Sequence, residues 1–309
     1  MNKILITGIN GFIGQNLKEY LTSKLHQTIG ISRNKKNGET ISYQDLDKNT
    51  FSSSIAIVHL AGKAHDLKGI NNDEEYYQAN TQLTKTLFDQ FLQSKCSVFI
   101  YMSSVKAAAD RVAGILKEDT IPNPKTVYGK SKLAAEEYLN SKIVPKNKSV
   151  YILRPCMVHG PGNKGNLNLL YSLVSKKIPY PLGAFQNERS FVSIENLCFI
   201  INQLIEKRPK SGIYNISDDN TISTIELIQL ISNTLNTKIL ILKIPKTLIL
   251  FTAKIGTFLK LPFKEENIDK LTTNFIVSNT KIKSALQIHF PMSLEEGLSR
   301  TITSFNKKS

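Results

Sequence analysis

The residues whose types and spacing hold the most chemistry are Thr126-Val127-Tyr128-Gly129-Lys130-Ser131-Lys132. Tyr128 and Lys132 are four apart and run into Leu133-Ala134-Ala135-Glu136-Glu137-Tyr138-Leu139, which favours a helix. On a helix that spacing puts the phenol and the ammonium on one face, a turn apart. A tyrosine titrates near pH ~10 and is a poor base at neutrality, but a cation within a few ångströms favours its phenolate. The pair is therefore a device for moving a proton. On its own, Tyr-x-x-x-Lys fits a solvated helix face better than a catalytic pair, so the reading turns on what surrounds it.

The elements that must position the pair begin at the N-terminus. Residues 3–7 form a short β-branched-rich apolar run, expected as a buried strand. It leads into Gly8-Ile9-Asn10-Gly11-Phe12-Ile13-Gly14 and then into a helical periodicity over 15–21. Strand, G-x-x-G-x-x-G and helix in that order predict a dinucleotide cradle at Gly8, Gly11, Phe12, Ile13 and Gly14, with the pyrophosphate on the helix N-terminus. A second strand, 28–31, ends at Ser32-Arg33-Asn34 with no carboxylate before Gly38 to hold a ribose 2′-hydroxyl. Arg33, helped by Lys35 or Lys36, could instead meet a 2′-phosphate, which tilts the cofactor towards NADP over NAD. Asp45 and Leu46 follow a third short strand and could touch the adenine end, although Asp45 also fits a turn carboxylate. A fourth strand, 54–60, puts Leu60, Ala61 and Gly62 at its tip, where a cofactor crosses the sheet; His59 reads as a packed core histidine, and His65 lies in the loop beyond. A fifth, 97–102, delivers Ser103-Ser104 to the same edge, where a serine can hydrogen-bond a substrate oxygen beside a tyrosine base. A sixth, 150–153, ends in Arg154-Pro155.

Composition narrows the function classes. The chain has 309 residues, 41% hydrophobic and 21% charged, enough for one large domain or two lobes. Cys96, Cys156 and Cys198 are far apart in apolar runs, so they read as buried thiols in a reducing compartment. The histidines form no short-range ligand pair, and no metal is expected. The first apolar run is too short for a signal-peptide core, which places the protein in the cytoplasm. The net charge is +15, but the lysines are scattered and alternate with no aromatics, so an anionic small substrate fits better than nucleic acid. The apolar stretch 239–262 is broken by Lys243, Lys246, Lys254 and Lys260, too soon for the ~20 residues of a membrane span. It reads as an amphipathic helix, packed within the second half in preference to peripheral contact with a membrane.

Thr7-Gly-Ile-Asn-Gly-Phe-Ile-Gly14, His59-Leu-Ala-Gly62, Ala79-Asn80-Thr81, Ser103-Ser104, Tyr128-Gly-Lys-Ser-Lys132 and Arg154-Pro155 occur in that order. Together they resemble the extended short-chain dehydrogenase/reductase family of nucleotide-sugar epimerases, dehydratases and ketoreductases, over nearly the whole chain. The resemblance implies an α/β Rossmann fold, a doubly wound parallel sheet with a smaller, discontinuous C-terminal substrate lobe. Residues 1–162 would form the dinucleotide-binding domain, with 190–216 returning to it, and 163–189 and 217–309 the lobe. It implies that Tyr128 is the acid/base at the sugar O4, that Lys132 binds the nicotinamide ribose and lowers the tyrosine pKa, and that Ser104 bonds the same oxygen. Asn80 would fix the central helix near the cofactor, with Pro155 and Val158 also against it. Asn166 and Arg189 would meet the UDP diphosphate or sugar, and Leu182, in 178–183, the uracil end; His159 stands where many relatives carry tyrosine. Family dehydratases have Asp-Glu where this chain has Val105-Lys106, which disfavours 4,6-elimination.

The stretches Arg154–Gly162, 181–183 and 189–192 look most like a bacterial polysaccharide-synthesis branch. With the missing carboxylate, this favours a reductase of a UDP-4-keto-6-deoxy-N-acetylhexosamine, of the UDP-N-acetylquinovosamine type. The alternatives are a UDP-hexose (UDP-glucose or UDP-N-acetylglucosamine) 4-epimerase with tightly bound NAD and a non-catalytic NADP-binding sensor or scaffold. The resemblance further implies a homodimer through the two long helices of the first domain.

Overall fold

The computed structural model describes residues 2–33, 40–64, 73–163, 167–258 and 265–306. Aliphatic runs bounded by glycine or polar turns become strands here because both their faces are covered. The strands are β1 (Lys3–Thr7), β2 (Gln27–Ser32), β3 (Thr40–Ser42), β4 (Ala56–His59), β5 (Val98–Met102), β6 (Ile115–Leu116), β7 (Ser149–Pro155), β8 (Met157–His159), β9 (Arg189–Ser193), β10 (Gly212–Ile216), β11 (Thr221–Ile222) and β12 (Ile276–Val277). Seven of them form one parallel sheet in the order β10-β7-β5-β4-β1-β2-β3. The chain moves outward one way through β2 and β3 and the other way from β4 onward. The reversal between β1 and β4 opens a crevice at the carboxyl edge, the usual ligand position in such sheets. The expected Rossmann α/β fold is the one observed.

Alternation along the strands divides the core in two. Ile4, Ile6, Val58, Ile100 and Leu153 face the helices Phe12–Ser23 and Ile194–Lys207. Leu5, Ile57, Phe99 and Ile152 face Leu83–Gln93 and Val127–Asn140. Register places Thr7 beside His59, His59 beside Tyr101 and Tyr101 beside Ile152, so the carboxyl ends of four strands finish level. The strand at 212–216 enters the big sheet beside β7. Phe275, Val277, Ile282, Leu286 and Ile288, from much later in the chain, join the first of these cores.

A third cluster, with Leu167, Val174, Leu182, Phe191, Ile228, Ile231, Leu298 and Ile302, forms the core of a second lobe. It is joined to the first core through β9, which pairs with β8 and β11 in a separate sheet and puts Val192 in that core and Phe191 in this one. Cys96, Cys156 and Cys198 are buried free thiols, as the sequence predicts. Within 239–262, the helix Lys246–Phe258 buries Ile249 in the lobe core. Among the described residues no helix is long and apolar enough to cross a membrane.

Candidate active site

β1 ends at Thr7, and the chain turns back on itself at Gly8 with φ at +68°, a conformation that favours glycine. A Cβ there would lie 2.8 Å from the Ala61 nitrogen, so the close approach of β1 to the tip of β4 also requires glycine. The Gly11 N–H closes the turn onto the Gly8 carbonyl at 2.9 Å, and Gly14 packs against that same carbonyl. The helix Phe12–Ser23 starts at Gly11 without a side-chain cap, leaving its first N–H groups to whatever lies in front of it. That is a fit for a dinucleotide pyrophosphate. Phe12 and Ile13 pack half-buried against the core, with Phe12 turned towards Gly160. Arg33 is exposed at the end of β2, and Asp45 is exposed in the single turn Tyr43–Asp45. Leu46 is a core residue and holds that turn in place. Lys35 and Lys36 lie outside the described residues, as does His65. Tyr43, which the sequence does not single out, leans onto the turn: its phenol hydrogen-bonds Thr7 and the Gly8 backbone and feels the Arg33 charge, while burial raises its pKa.

Behind the cradle runs a buried chain of hydrogen bonds. The Ala61 N–H donates to Thr7 Oγ1 (3.1 Å), which lies 2.6 Å from His59 Nδ1. His59 Nε2 lies 2.9 Å from Thr84 Oγ1, and that hydroxyl donates to the Asn80 carbonyl at 2.7 Å. Only one direction satisfies every group: Thr7 donates to Nδ1, and Nε2–H donates to Thr84. His59 is wholly buried, and desolvation, aided by the Lys132 charge, lowers its pKa to about 3. It is thus a neutral core histidine, tying two strand tips to the helix beneath the site.

Asn80 sits in a one-turn π segment, Gln78–Gln82, which interrupts the helical run between Asp73–Tyr77 and Leu83–Gln93. Its side chain accepts from the Lys63 N–H (2.8 Å) and donates to the Lys63 carbonyl (3.0 Å) and to Ser131 Oγ (2.9 Å). It fastens the tip of β4, with Gly62, to the helix that carries Tyr128 and Lys132. A Cβ on Gly62 would fall 2.6 Å from Asn80 Oδ1 and 3.1 Å from Lys132 Nζ, which shows how tightly these groups converge.

The helix Val127–Asn140 is capped by Thr126, whose hydroxyl accepts from the Gly129 N–H at 3.2 Å. A Cβ on Gly129 would meet the Lys106 carbonyl at 2.4 Å, so the missing side chain lets the helix start press against the turn after Ser104. Tyr128 and Ser104 are thereby hydrogen-bonded. Lys132 is buried, donates to the Met102 carbonyl at 2.8 Å and lies over the Tyr101 ring. All three expected catalytic side chains converge on the end of β5.

Burial raises the Tyr128 pKa, the Ser104 hydrogen bond opposes the rise, and the Tyr76 phenol adds to it. Burial lowers the Lys132 pKa to about 8, with Glu136 opposing. That carboxylate is a residue the sequence reading missed. It is 1% exposed, takes Arg154 Nε at 3.0 and 3.1 Å and Nη2 at 2.5 Å, and accepts a short bond from Ser103 Oγ. Its position four residues after Lys132 was the available signal.

On the lobe side, Pro155 closes β7 beside Ile216, and Val158 is half-buried in β8 against the first core. Arg189 opens β9, half-buried; burial lowers its pKa, and the nearby Cys156 opposes the fall. His159 turns inward instead: it is fully buried, with Nδ1 3.0 Å from Thr301 Oγ1 and Nε2 3.7 Å from Asp218. Leu182, expected along the uracil end, is 3% exposed and belongs to the lobe core. Val105 is buried and Lys106 reaches the Asp110 carbonyl at 2.9 Å, so this position offers no carboxylate pair for an elimination. Asn166 lies outside the described residues.

A family profile described as the NAD dependent epimerase/dehydratase family matches residues 4–217. A UDP-glucose 4-epimerase of Vibrio cholerae is 32% identical over 98% of this chain and 95% of its own length. An N-acetyl-alpha-D-glucosaminyl-diphospho-ditrans,octacis-undecaprenol 4-epimerase of Escherichia coli O157:H7 is 26% identical over 97% and 94%. Among solved structures, a UDP-N-acetylglucosamine 4-epimerase from Bacillus cereus superposes with a TM-score of 0.80 at 21% identity, covering 99% of this chain and all of that one.

Proposed function

Because this chain belongs to the NAD dependent epimerase/dehydratase family, a family of nucleotide-sugar enzymes, we propose that it is a UDP-hexose 4-epimerase that keeps its NAD through the cycle. The observation that carries C4 chemistry is the meeting of Tyr128 and Ser104 at the end of β5, with Lys132 buried beside them and the Gly8–Gly14 turn across the crevice. Similarity to the Vibrio cholerae epimerase along both chains supports epimerase over reductase, against the preference drawn from the sequence.

NAD would be held at Gly8, Gly11, Gly14, Ala61, Gly62, Pro155 and Val158 and would supply a reversible hydride acceptor. In this reading Tyr128 acts as the phenolate, its own proton already released and its charge favoured by the Ser104 hydroxyl and the Lys132 cation; it takes the proton from the sugar 4-hydroxyl as C4 is oxidised to a ketone, and Ser104 holds that oxygen. Lys132 supplies positive charge beside the reacting oxygen and the ribose, and Asn80 keeps the ammonium and the tip of β4 in register. The 4-keto sugar turns over, and Tyr128 returns the proton as C4 is reduced on the opposite face. Arg189 pairs with the diphosphate through its planar fork. The absence of an acid–base pair at Val105-Lys106 supports a path without elimination.

The purified protein is expected to release NAD on denaturation and to interconvert UDP-glucose and UDP-galactose, or their N-acetyl forms, without net change in nicotinamide absorbance. Tyr128→Phe should lower kcat by about 10²–10⁴-fold with little change in KM. Loss of less than tenfold would remove Tyr128 from the mechanism. The second reading, a 4-ketoreductase using NADPH, is favoured by one feature: β2 ends at an exposed Arg33 with no carboxylate. Stoichiometric NADPH oxidation by a UDP-4-keto-6-deoxy sugar, without epimerisation, would establish it. The same proposal includes a cytoplasmic homodimer joined through the helices Leu83–Gln93 and Val127–Asn140, which sedimentation at graded concentration would test.

A further inference from the structure

Residues 227–264 contain no aspartate, glutamate or histidine and six lysines, Lys238, Lys243, Lys246, Lys254, Lys260 and Lys264. Within this stretch the helix Lys246–Phe258 buries one described side chain, Ile249, 5% exposed in the lobe core, and lays the Lys246 ammonium over the Phe185 ring at its start. Its neighbours turn outward: Leu248 is 53% exposed, Leu250 44% and Phe251 62%, and Leu240 just ahead of the helix is 60% exposed. Single exposed leucines need no explanation, but a cluster of large apolar side chains marks a surface that meets something. Lys243, Lys246 and Lys254 are exposed among them. The patch is built into the fold rather than trailing from it. Tyr180 N–H donates to the Leu240 carbonyl at 2.9 Å, Leu242 N–H to the Tyr180 carbonyl at 2.9 Å, and Gly183 N–H to the Leu242 carbonyl at 3.0 Å.

We infer that this face rests on an anionic lipid bilayer, with Leu248 and Phe251 entering the headgroup–acyl boundary and Lys243, Lys246 and Lys254 meeting lipid phosphates. An apolar strip flanked by lysine is the composition of interfacial helices, and each basic residue near an anionic surface adds to the attraction. Charge selects this occupant: a second copy packed face to face would set lysines against lysines with no carboxylate in the stretch to offset them. With no spanning helix among the described residues, the contact is peripheral. The lobe would then stand with its 180–183 segment close to the membrane surface. This inference does not depend on the reaction assigned to Tyr128.

Flotation with vesicles tests it, using phosphatidylcholine alone or with about one-third phosphatidylglycerol. The full chain is expected to float with the anionic vesicles and not with the neutral ones, and to dissociate as salt rises. Leu248→Ser/Phe251→Ser and Lys243→Glu/Lys254→Glu should each weaken binding roughly tenfold, while the thermal transition stays in place because all four side chains are exposed. No flotation with anionic vesicles, or undiminished binding by both double variants, overturns the inference. So does a concentration-dependent dimer that Leu248→Ser/Phe251→Ser separates, since the face would then belong to a second copy.

Discussion

Glu136 lies one helical turn beyond Lys132 and two beyond Tyr128, and its carboxylate is shared between Arg154 and Ser103 in the interior. The pair is almost without solvent, so its attraction is unscreened and its desolvation cost is large. Arg154 Nη1 has no hydrogen-bond partner, so the guanidinium depends on Glu136 for its compensation. Glu136→Gln should therefore destabilise the protein by roughly 3–5 kcal/mol, read from denaturant midpoints. It should also act on Lys132, because Glu136 is the influence that raises the lysine pKa against burial. The wild-type lysine holds its charge below about pH 8 and loses it above, which predicts an alkaline limb there in kcat/KM. In Glu136→Gln the charge is lost at lower pH, so the limb should move down. An unmoved limb in a folded variant would show that Lys132 does not report on this carboxylate. Arg154→Lys should share the stability loss, since a lysine cannot offer the same two-toothed pairing.

At the scale of elements, the site is held together by the Thr7–His59–Thr84–Asn80 chain, which joins two strand tips to the π segment. An unfolded His takes its proton near pH 6.5, whereas folded His59 resists until about 3. Between those values the unfolded chain binds more protons, so stability is full above pH 6.5 and falls as pH drops through the window. The difference is roughly 3 kcal/mol from pH 6.5 to 4. In His59→Gln that part of the acid slope should vanish, as measured by urea midpoints at pH 7, 5 and 4; an identical slope would mean the ring is already charged in the fold. These elements also mark what sequence patterns reveal. Residues 3–7 and the Gly8–Gly14 spacing could be read because backbone geometry admits few alternatives there, and Tyr128, Lys132 and Ser104 followed from their place on predicted elements. The His59 network, the Tyr43 phenol over the turn and the Glu136–Arg154 pair could not be read with the same ease. They arise where residues far apart in sequence are pressed together, and no local periodicity records such contacts. Leu182 belongs to the lobe core, and an apolar residue before a glycine looks alike in sequence whether it lines a ligand or fills a core.

For the whole molecule, the matched family profile ends at residue 217, which invites the view that the dinucleotide-binding half is a module of its own. Packing argues otherwise. Phe275, Val277, Ile282, Leu286 and Ile288, none more than 9% exposed, complete the core that contains Ile4, Val58 and Leu153. At about 1.5–3 kcal/mol for each buried side chain, the five contribute roughly 8–15 kcal/mol before entropy. That equals the entire ~5–15 kcal/mol net stability of an ordinary domain. Hydrogen bonds stitch the same segment in: Ser217 Oγ donates to the Val277 carbonyl at 2.9 Å, Val277 N–H to Ser190 Oγ at 3.0 Å, and Ser278 N–H to the Leu116 carbonyl at 2.9 Å. A chain ending after Ser217 should thus show no cooperative thermal transition and expose apolar surface to a dye such as ANS. A sharp transition from that fragment would show that the first core closes without its distal strand and helix. The lobe and the cradle are therefore coupled through covalent order as well as through β9: the chain leaves the first core to build the lobe, returns at 275–288 to seal it, and goes back to the lobe with Leu294–Asn306.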